Sequence, residues 1–185
     1  MCDLVFVPTH QHVGAEAARA RYLKHRNSPD DVGYTDRFSR LIELLRGQAP
    51  GARRVLDYGC GPTPVFVEML RAAGYDASGY DPLFCPDSSL HEPFDVVASV
   101  ETFEHFTRPG DELARIVARI RPGGMLAVMT LFHHGAESLG NWWYLRDPTH
   151  VAFYSQATFD FIAPRFGLTI VHRDERDTII LRRNA

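Results

Sequence analysis

Residues 54–63, RVLDYGCGPT, constrain the fold more than any other stretch of this sequence. Val55 and Leu56 read as the end of a buried strand, closed by Asp57. Gly59-Cys60-Gly61 follow as a tight turn. Thr63 stands where a helix begins, over the apolar residues Val65, Phe66, Met69 and Leu70. A strand, a glycine turn and a helix in that order are the usual place for a nucleotide-like cofactor in an open α/β sheet. The helix presents unpaired N–H groups there, and glycine lets the backbone come close. Taken alone, the turn could serve NAD, another nucleotide or nothing.

The rest of the chain extends this unit. Residues 4–7 read as an edge strand ended by Pro8. Residues 15–24 form a charged helix, either on the surface or as a lid over the core, and Tyr22, His25 and Asn27 at its end could complete that lid. A helix follows, with Phe38, Leu41, Ile42, Leu44 and Leu45 on one face and Gly47 as its stop. The helix after the glycine turn spans residues 63–73, closed by Gly74. Strands are predicted at 75–80, 94–100 and 125–131, and a helix starts at Pro109 between the last two. Residues 132–154 form a long loop rich in His, Trp and Tyr, the kind that carries function. Ser155 caps a helix reaching Phe166, and residues 168–172 and 178–181 close the chain as a hairpin. The expectation is an α/β fold: a doubly wound, mostly parallel sheet with an antiparallel strand in the C-terminal β-hairpin. Residues 1–52 would be an N-terminal segment with lid helices packed on a core of residues 53–185, one structural domain overall.

Bulk properties narrow the function. A net charge of -3 gives no footing for a polyanion, so nucleic acid is not an expected partner. Three scattered cysteines, Cys2, Cys60 and Cys85, argue against a disulfide framework and for a reducing, cytoplasmic setting. No apolar run approaches a membrane span, so no membrane partner is expected. The oligomeric state is left open.

Three features fall at carboxyl ends of predicted parallel strands, where open α/β sheets bind ligands. They are the Asp57-x-Gly59-x-Gly61 turn, Asp81 about 20 residues later at the distance of a ribose-gripping carboxylate, and Glu101 to His105. Glu101, Glu104 and His105 are spaced i, i+3, i+4, which one helical turn would put on a single face.

VLDYGCGPT, GYDP, FDVVASVETFEHF and RPGGMLAVMT, in that order, resemble the successive motifs of class I S-adenosylmethionine-dependent methyltransferases. With DPTHVAFYS at residues 147–155, the chain also resembles a group of small bacterial members. The resemblance implies a Rossmann-like methyltransferase fold and S-adenosylmethionine as cofactor. It implies that Asp57, Gly59, Cys60, Gly61 and Pro62 cradle the methionine part, and that Asp81 holds the ribose hydroxyls. Pro82 and Leu83 would border the adenine, and Glu101 and Thr102 would close the pocket. Two departures stand out. Thr63 replaces a third glycine, and the short interval from Asp81 to Phe94 reduces the third-strand region and leaves the adenine end unassigned.

The implied reaction is methyl transfer to a small-molecule acceptor, on oxygen or nitrogen. His105 and His150 are the candidates for removing a proton, with Glu104 orienting one of them. His133, Trp143 and Tyr144 are candidate substrate contacts. Trp142, Trp143 and Tyr144 would form either an acceptor wall or a plug packing the loop. The ExxEH spacing also occurs in metal-dependent O-methyltransferases, but no metal is assigned. Two alternatives remain. One is a non-catalytic S-adenosylmethionine-binding regulatory protein. The other is a nicotinamide-dependent oxidoreductase, whose fingerprint wants glycine where Pro64 stands.

Overall fold

The computed structural model describes residues 2–24, 31–86 and 93–185. In chain order the strands are β1 (Val5–Phe6), β2 (Arg54–Tyr58), β3 (Asp76–Tyr80), β4 (Phe94–Val100), β5 (Ile120–Met129), β6 (Ala152–Phe153), β7 (Leu168–Arg173) and β8 (Thr178–Arg183). The helices are α1 (Ala15–Tyr22), α2 (Val32–Gln48), α3 (Val65–Ala72), α4 (Pro109–Ala118) and α5 (Gln156–Ile162). Six strands form the main sheet in the order β3-β2-β4-β5-β8-β7. The first four are parallel, and β8 runs antiparallel between β5 and β7. This is the doubly wound, mostly parallel sheet with a C-terminal antiparallel pair that the motif order predicts.

Strand alternation divides the core in two. Val55, Val96 and Ala98 face α2 and α3, packing with Leu41, Leu45, Phe66 and Leu70. Leu56, Tyr58 and Val97 face the other side, with Leu113 and Ile116 of α4 and Phe159 of α5. Each fully buried Leu or Ile contributes roughly 1.5–3 kcal/mol, so both faces anchor the central strands. The free ends of β2 and β4 are thereby held rigid where the site is built.

Several boundaries differ from the sequence expectation. Helix α2 continues through Gly47 to Gln48, with open space around that glycine. Helix α3 starts at Val65, because Pro64 is its N-cap with a non-helical backbone. Helix α5 stops at Ile162; after it, residues Pro164–Phe166 form a 3-10 turn before Gly167 at φ +64. A proline in mid-helix would remove a hydrogen bond and clash with the preceding turn. The N-cap itself is as expected: the Ser155 side chain accepts from Thr158 N, and the Thr158 side chain accepts from Ser155 N.

Strand β1 does not join the main sheet. It pairs antiparallel with β6, and this small second sheet ties the N-terminal strap to the long loop. Asp3 fixes the strap further, its Oδ2 accepting from the Ser155 hydroxyl at 2.6 Å. Between Tyr80 and Phe94 the described residues form no strand; Asp81 and Cys85 make only an isolated bridge. Residues 87–92 lie outside the described residues, as do His25 and Asn27. No helix among the described residues is long and apolar enough to cross a membrane.

Candidate active site

A cavity of about 910 Å³ opens over the carboxyl ends of β2, β3 and β4. That size lies within the range of roughly 300–1,000 Å³ seen for small-molecule sites. Its floor is the glycine turn. Gly59 (φ +94) and Gly61 (φ +65) both need the left-handed region. At Gly61 a Cβ would point into open space, so the backbone there is bare to a ligand. At Gly59 a Cβ would lie 2.3 Å from the Thr102 side chain, so that glycine allows β2 and the loop after β4 to close on each other. The Thr102 hydroxyl donates to Val100 O at 3.0 Å, holding this contact in place.

Asp81 joins two segments of the wall. Its Oδ2 accepts from Gly61 N at 3.1 Å, and its Oδ1 accepts from Leu83 N and Phe84 N at 2.8 and 3.2 Å. The carboxylate thus orders both the glycine turn and the turn after β3, and retains a lone-pair site on Oδ2 for a ligand. Asp57 is buried below the turn. Burial, and then the charge of Asp81, push its carboxyl up to about 7. Burial also pushes the Cys60 thiol up, which argues against Cys60 as a nucleophile. Asp57, Gly59, Cys60, Gly61, Pro62, Asp81, Pro82, Leu83, Glu101 and Thr102 all line this one cavity.

The opposite end is built from the turn after β4 and the long loop. Glu104 is 1% exposed; its Oε2 accepts from the Thr130 hydroxyl at 2.9 Å, and its Oε1 is buried with no hydrogen-bond partner among the described residues. His105 Nδ1 donates to Thr149 O at 3.0 Å, and His150 Nδ1 donates to Tyr144 O at 2.7 Å. One ligand atom from each of Glu104, His105 and His150 lies within 4.8 Å of the others. One carboxylate and two imidazoles form a set that could hold a divalent ion. Burial lowers the His105 pKa, leaving the ring neutral, and raises the carboxyls of Glu104 and Glu101.

Glu101 is not part of that face. It sits at φ +49 and its carboxylate turns to Arg37 of α2, 2.6 Å away. The helical-face expectation therefore fails at its first member: residues Phe103–His105 form a 3-10 turn, and His150 from the distant loop takes the third place. Trp143 and Tyr144 both line the cavity, but differently. Trp143 is 61% exposed at the rim, whereas Tyr144 is buried with its ring 4.2 Å from His150.

His133 corrects the sequence reading. It does not line the cavity; its ring is buried and Nε2 donates to Asp3 O at 3.0 Å. It anchors the N-terminal strap rather than a substrate. The sequence reading also missed Arg37 and Thr130. Each meets its partner across a long chain separation, 64 residues for Arg37–Glu101 and 26 for Thr130–Glu104, and no local spacing signals such pairs. On the lid side, Arg21 pairs with Asp147 at 2.8 Å, and the Tyr22 ring stands edge-on to His105 at 5.1 Å.

The parallel sheet, the glycine turn and the carboxylate one strand over define a Rossmann-like, class I methyltransferase. Residues 22–173 match the family described as methyltransferase domain, and the chain belongs to it. It is 32% identical over 127 residues to tRNA U34 carboxymethyltransferase from Pseudoalteromonas translucida, covering 56% of this chain and 38% of that protein. It is 30% identical over 135 residues to ubiquinone biosynthesis O-methyltransferase from Bradyrhizobium diazoefficiens, covering 58% of this chain and 52% of that one. The chain thus spans about half or less of the length of these curated relatives. Among solved structures it resembles Burkholderia thailandensis 1,6-didemethyltoxoflavin-N1-methyltransferase, bound to 1,6-didemethyltoxoflavin and S-adenosylhomocysteine. There the TM-score is 0.69 at 15% identity, over 98% of this chain and 95% of the other. At that identity the likeness is one of fold.

Proposed function

We propose that this chain transfers a methyl group from S-adenosylmethionine to a small-molecule acceptor. One observation carries the reading: the glycine cradle with Asp81 and the Glu104, His105 and His150 cluster line the same cavity. Family membership sets the nicotinamide alternative aside. The polar cluster at the acceptor end favours catalysis over the regulatory alternative, which would have an apolar plug there.

The bare backbone at Gly61 and the buried carboxylate below it fit the cofactor's polar methionine end. Asp57, Gly59, Cys60, Gly61 and Pro62 would hold that end, and Asp81 would accept from the ribose hydroxyls. Pro82 and Leu83 would border the adenine, and Glu101 and Thr102 would close the pocket. Bound there, the cofactor supplies an electrophilic methyl on a sulfonium. The chain's own work is to align the acceptor, exclude water and take up a proton. Tyr22 and Arg21 cover the acceptor end, and Trp143 flanks its mouth. Glu104, His105 and His150 are the proton-handling groups, with Thr130 steadying the Glu104 carboxylate.

Calorimetry tests this directly. S-adenosylmethionine and S-adenosylhomocysteine should both give binding heat, and NAD none; no heat from either sulfur compound would sink the reading. The pH dependence is a second check. The Asp57 carboxyl is raised from its ordinary value to about 7 by burial and then by the charge of Asp81. A cationic ligand selects the ionised form, so binding should strengthen as pH rises through the raised value. Roughly 10% ionised at pH 6 and roughly 90% at pH 8 predict about a tenfold gain in affinity over that window. Asp57→Asn should flatten this rise; a flat profile in the unaltered protein would contradict the Asp57 assignment.

A further inference from the structure

The acceptor end of the cavity presents lone pairs. Among the described residues, Glu104 Oε1 is buried without a hydrogen-bond partner, while Oε2 is engaged by Thr130. His105 Nδ1 faces the carbonyl of Thr149, and a carbonyl only accepts, so Nδ1 carries the ring proton and Nε2 the lone pair. That Nε2 lies 4.0 Å from Glu104 Oε1. His150 follows the same pattern, its Nδ1 proton directed to Tyr144 O. The nearby cations are engaged elsewhere, Arg37 by Glu101 and Arg21 by Asp147.

Two acceptors that close together call for an occupant with two protons to give. A hydroxyl has one, and once deprotonated it becomes an anion set against a buried carboxylate. A primary amine has two N–H groups and keeps a lone pair for attack. We propose that the methyl acceptor is a primary amine, its N–H groups received by Glu104 Oε1 and His105 Nε2. This rests on the methyl-transfer reading above and names its substrate class.

The geometry favours an amine over a zinc ion. To touch both atoms at their present separation, an ion bound at about 2.05 Å would need about 155° between its bonds, far from tetrahedral. An amine nitrogen at about 2.9 Å from each needs about 87°. The amine binds as its free base, having left its extra proton in solvent, with its two N–H groups on Glu104 Oε1 and His105 Nε2. The nitrogen lone pair then forms the N–C bond as the C–S bond breaks, its electrons staying on sulfur. The methylated nitrogen gives one proton to Glu104, leaving a secondary amine and S-adenosylhomocysteine.

The test uses histidine labelled with ¹⁵N in the full chain saturated with S-adenosylhomocysteine. Benzylamine, benzyl alcohol and zinc chloride are the probes, the ring suiting the aromatic surround of Tyr22 and Trp143. The His105 signal is the one missing from a His105→Asn sample. Benzylamine should shift its Nε2 resonance at least tenfold more than benzyl alcohol at equal concentration, and Glu104→Gln should weaken that response at least tenfold. An equal response to benzyl alcohol, no response to benzylamine, or a response to zinc chloride alone overturns the proposal. Failure of the methyl-transfer reading would show separately, as absence of calorimetric heat with S-adenosylhomocysteine. The comparison of probes is made on the unaltered protein, and the His105→Asn sample serves only to assign the signal.

Discussion

Replacing Asp81 with alanine is expected to weaken S-adenosylhomocysteine binding by at least about 10-fold. The carboxylate would accept from a ribose hydroxyl, and each hydrogen bond to a charged group contributes about 1.5–3 kcal/mol. Three backbone N–H groups leave one lone-pair site on Oδ2, and one such bond is roughly 10- to 150-fold in affinity. Alanine also releases Gly61, Leu83 and Phe84, whose N–H groups converge on this one side chain. Asp81→Asn is an intermediate case, since its one amide oxygen can serve only one of the two turns while its NH2 opposes an N–H of the other and the charge is lost. Isothermal calorimetry reads both variants. Affinity within threefold of the parent for Asp81→Ala would show that Asp81 does not grip the ribose.

Gly59→Ala should be the most damaging single-methyl change in the chain. The new carbon would stand 2.3 Å from both Cγ2 and Oγ1 of Thr102, and φ +94 is a region L-residues rarely adopt. Left-handed backbone alone costs about 1–2 kcal/mol, and overpacking typically adds about 1–3 kcal/mol. A loss near 3 kcal/mol corresponds to a fall of roughly 6–12 °C in Tm for a chain of this size. Thermal unfolding followed by circular dichroism measures it. Pairing the change with Thr102→Gly should recover only the steric part, because the backbone strain remains. A Tm within 2 °C of the parent would mean that β2 and the loop after β4 are not held in this close contact.

The glycine turn and Asp81 were legible in the sequence because their signals are local. Glycines at 59 and 61 can be read as backbone freedom, and Asp81 ends a strand that pairs with β2 in register. The sheet was legible for the same reason, since β4 and the apolar part of β5 are short apolar runs bounded by turn residues. What escaped depends on contacts between distant segments. Arg37 looks like a surface residue of α2 until the helix packs against the end of β4. Thr130 reads as the tail of a strand, although its hydroxyl fixes Glu104. His133 was misread through a correct rule. It does follow a core strand, but the N-terminal strap lies close enough for its ring to turn away from the cavity. Pro64 and Pro164 show the remaining weakness, that apolar periodicity marks where a helix lies better than where it begins or ends.

The pair Arg21–Asp147 bears on how ligands come and go. It bridges α1 to the loop that carries His150, with Arg21 42% exposed and Asp147 only 10%. On the loop side, Asp147 is fastened by Thr149, whose N–H and hydroxyl both donate to Oδ1. On the helix side none of the α1 residues is fully buried, and α1 is held by side chains, with the Tyr22 ring against His105 and Phe84 and Arg19 over Phe84. Ion pairs with one member in water contribute about 1 kcal/mol or less and weaken with salt. The pair is therefore one contact among several between α1 and the rest of the site, and salt that screens it leaves the aromatic ones in place.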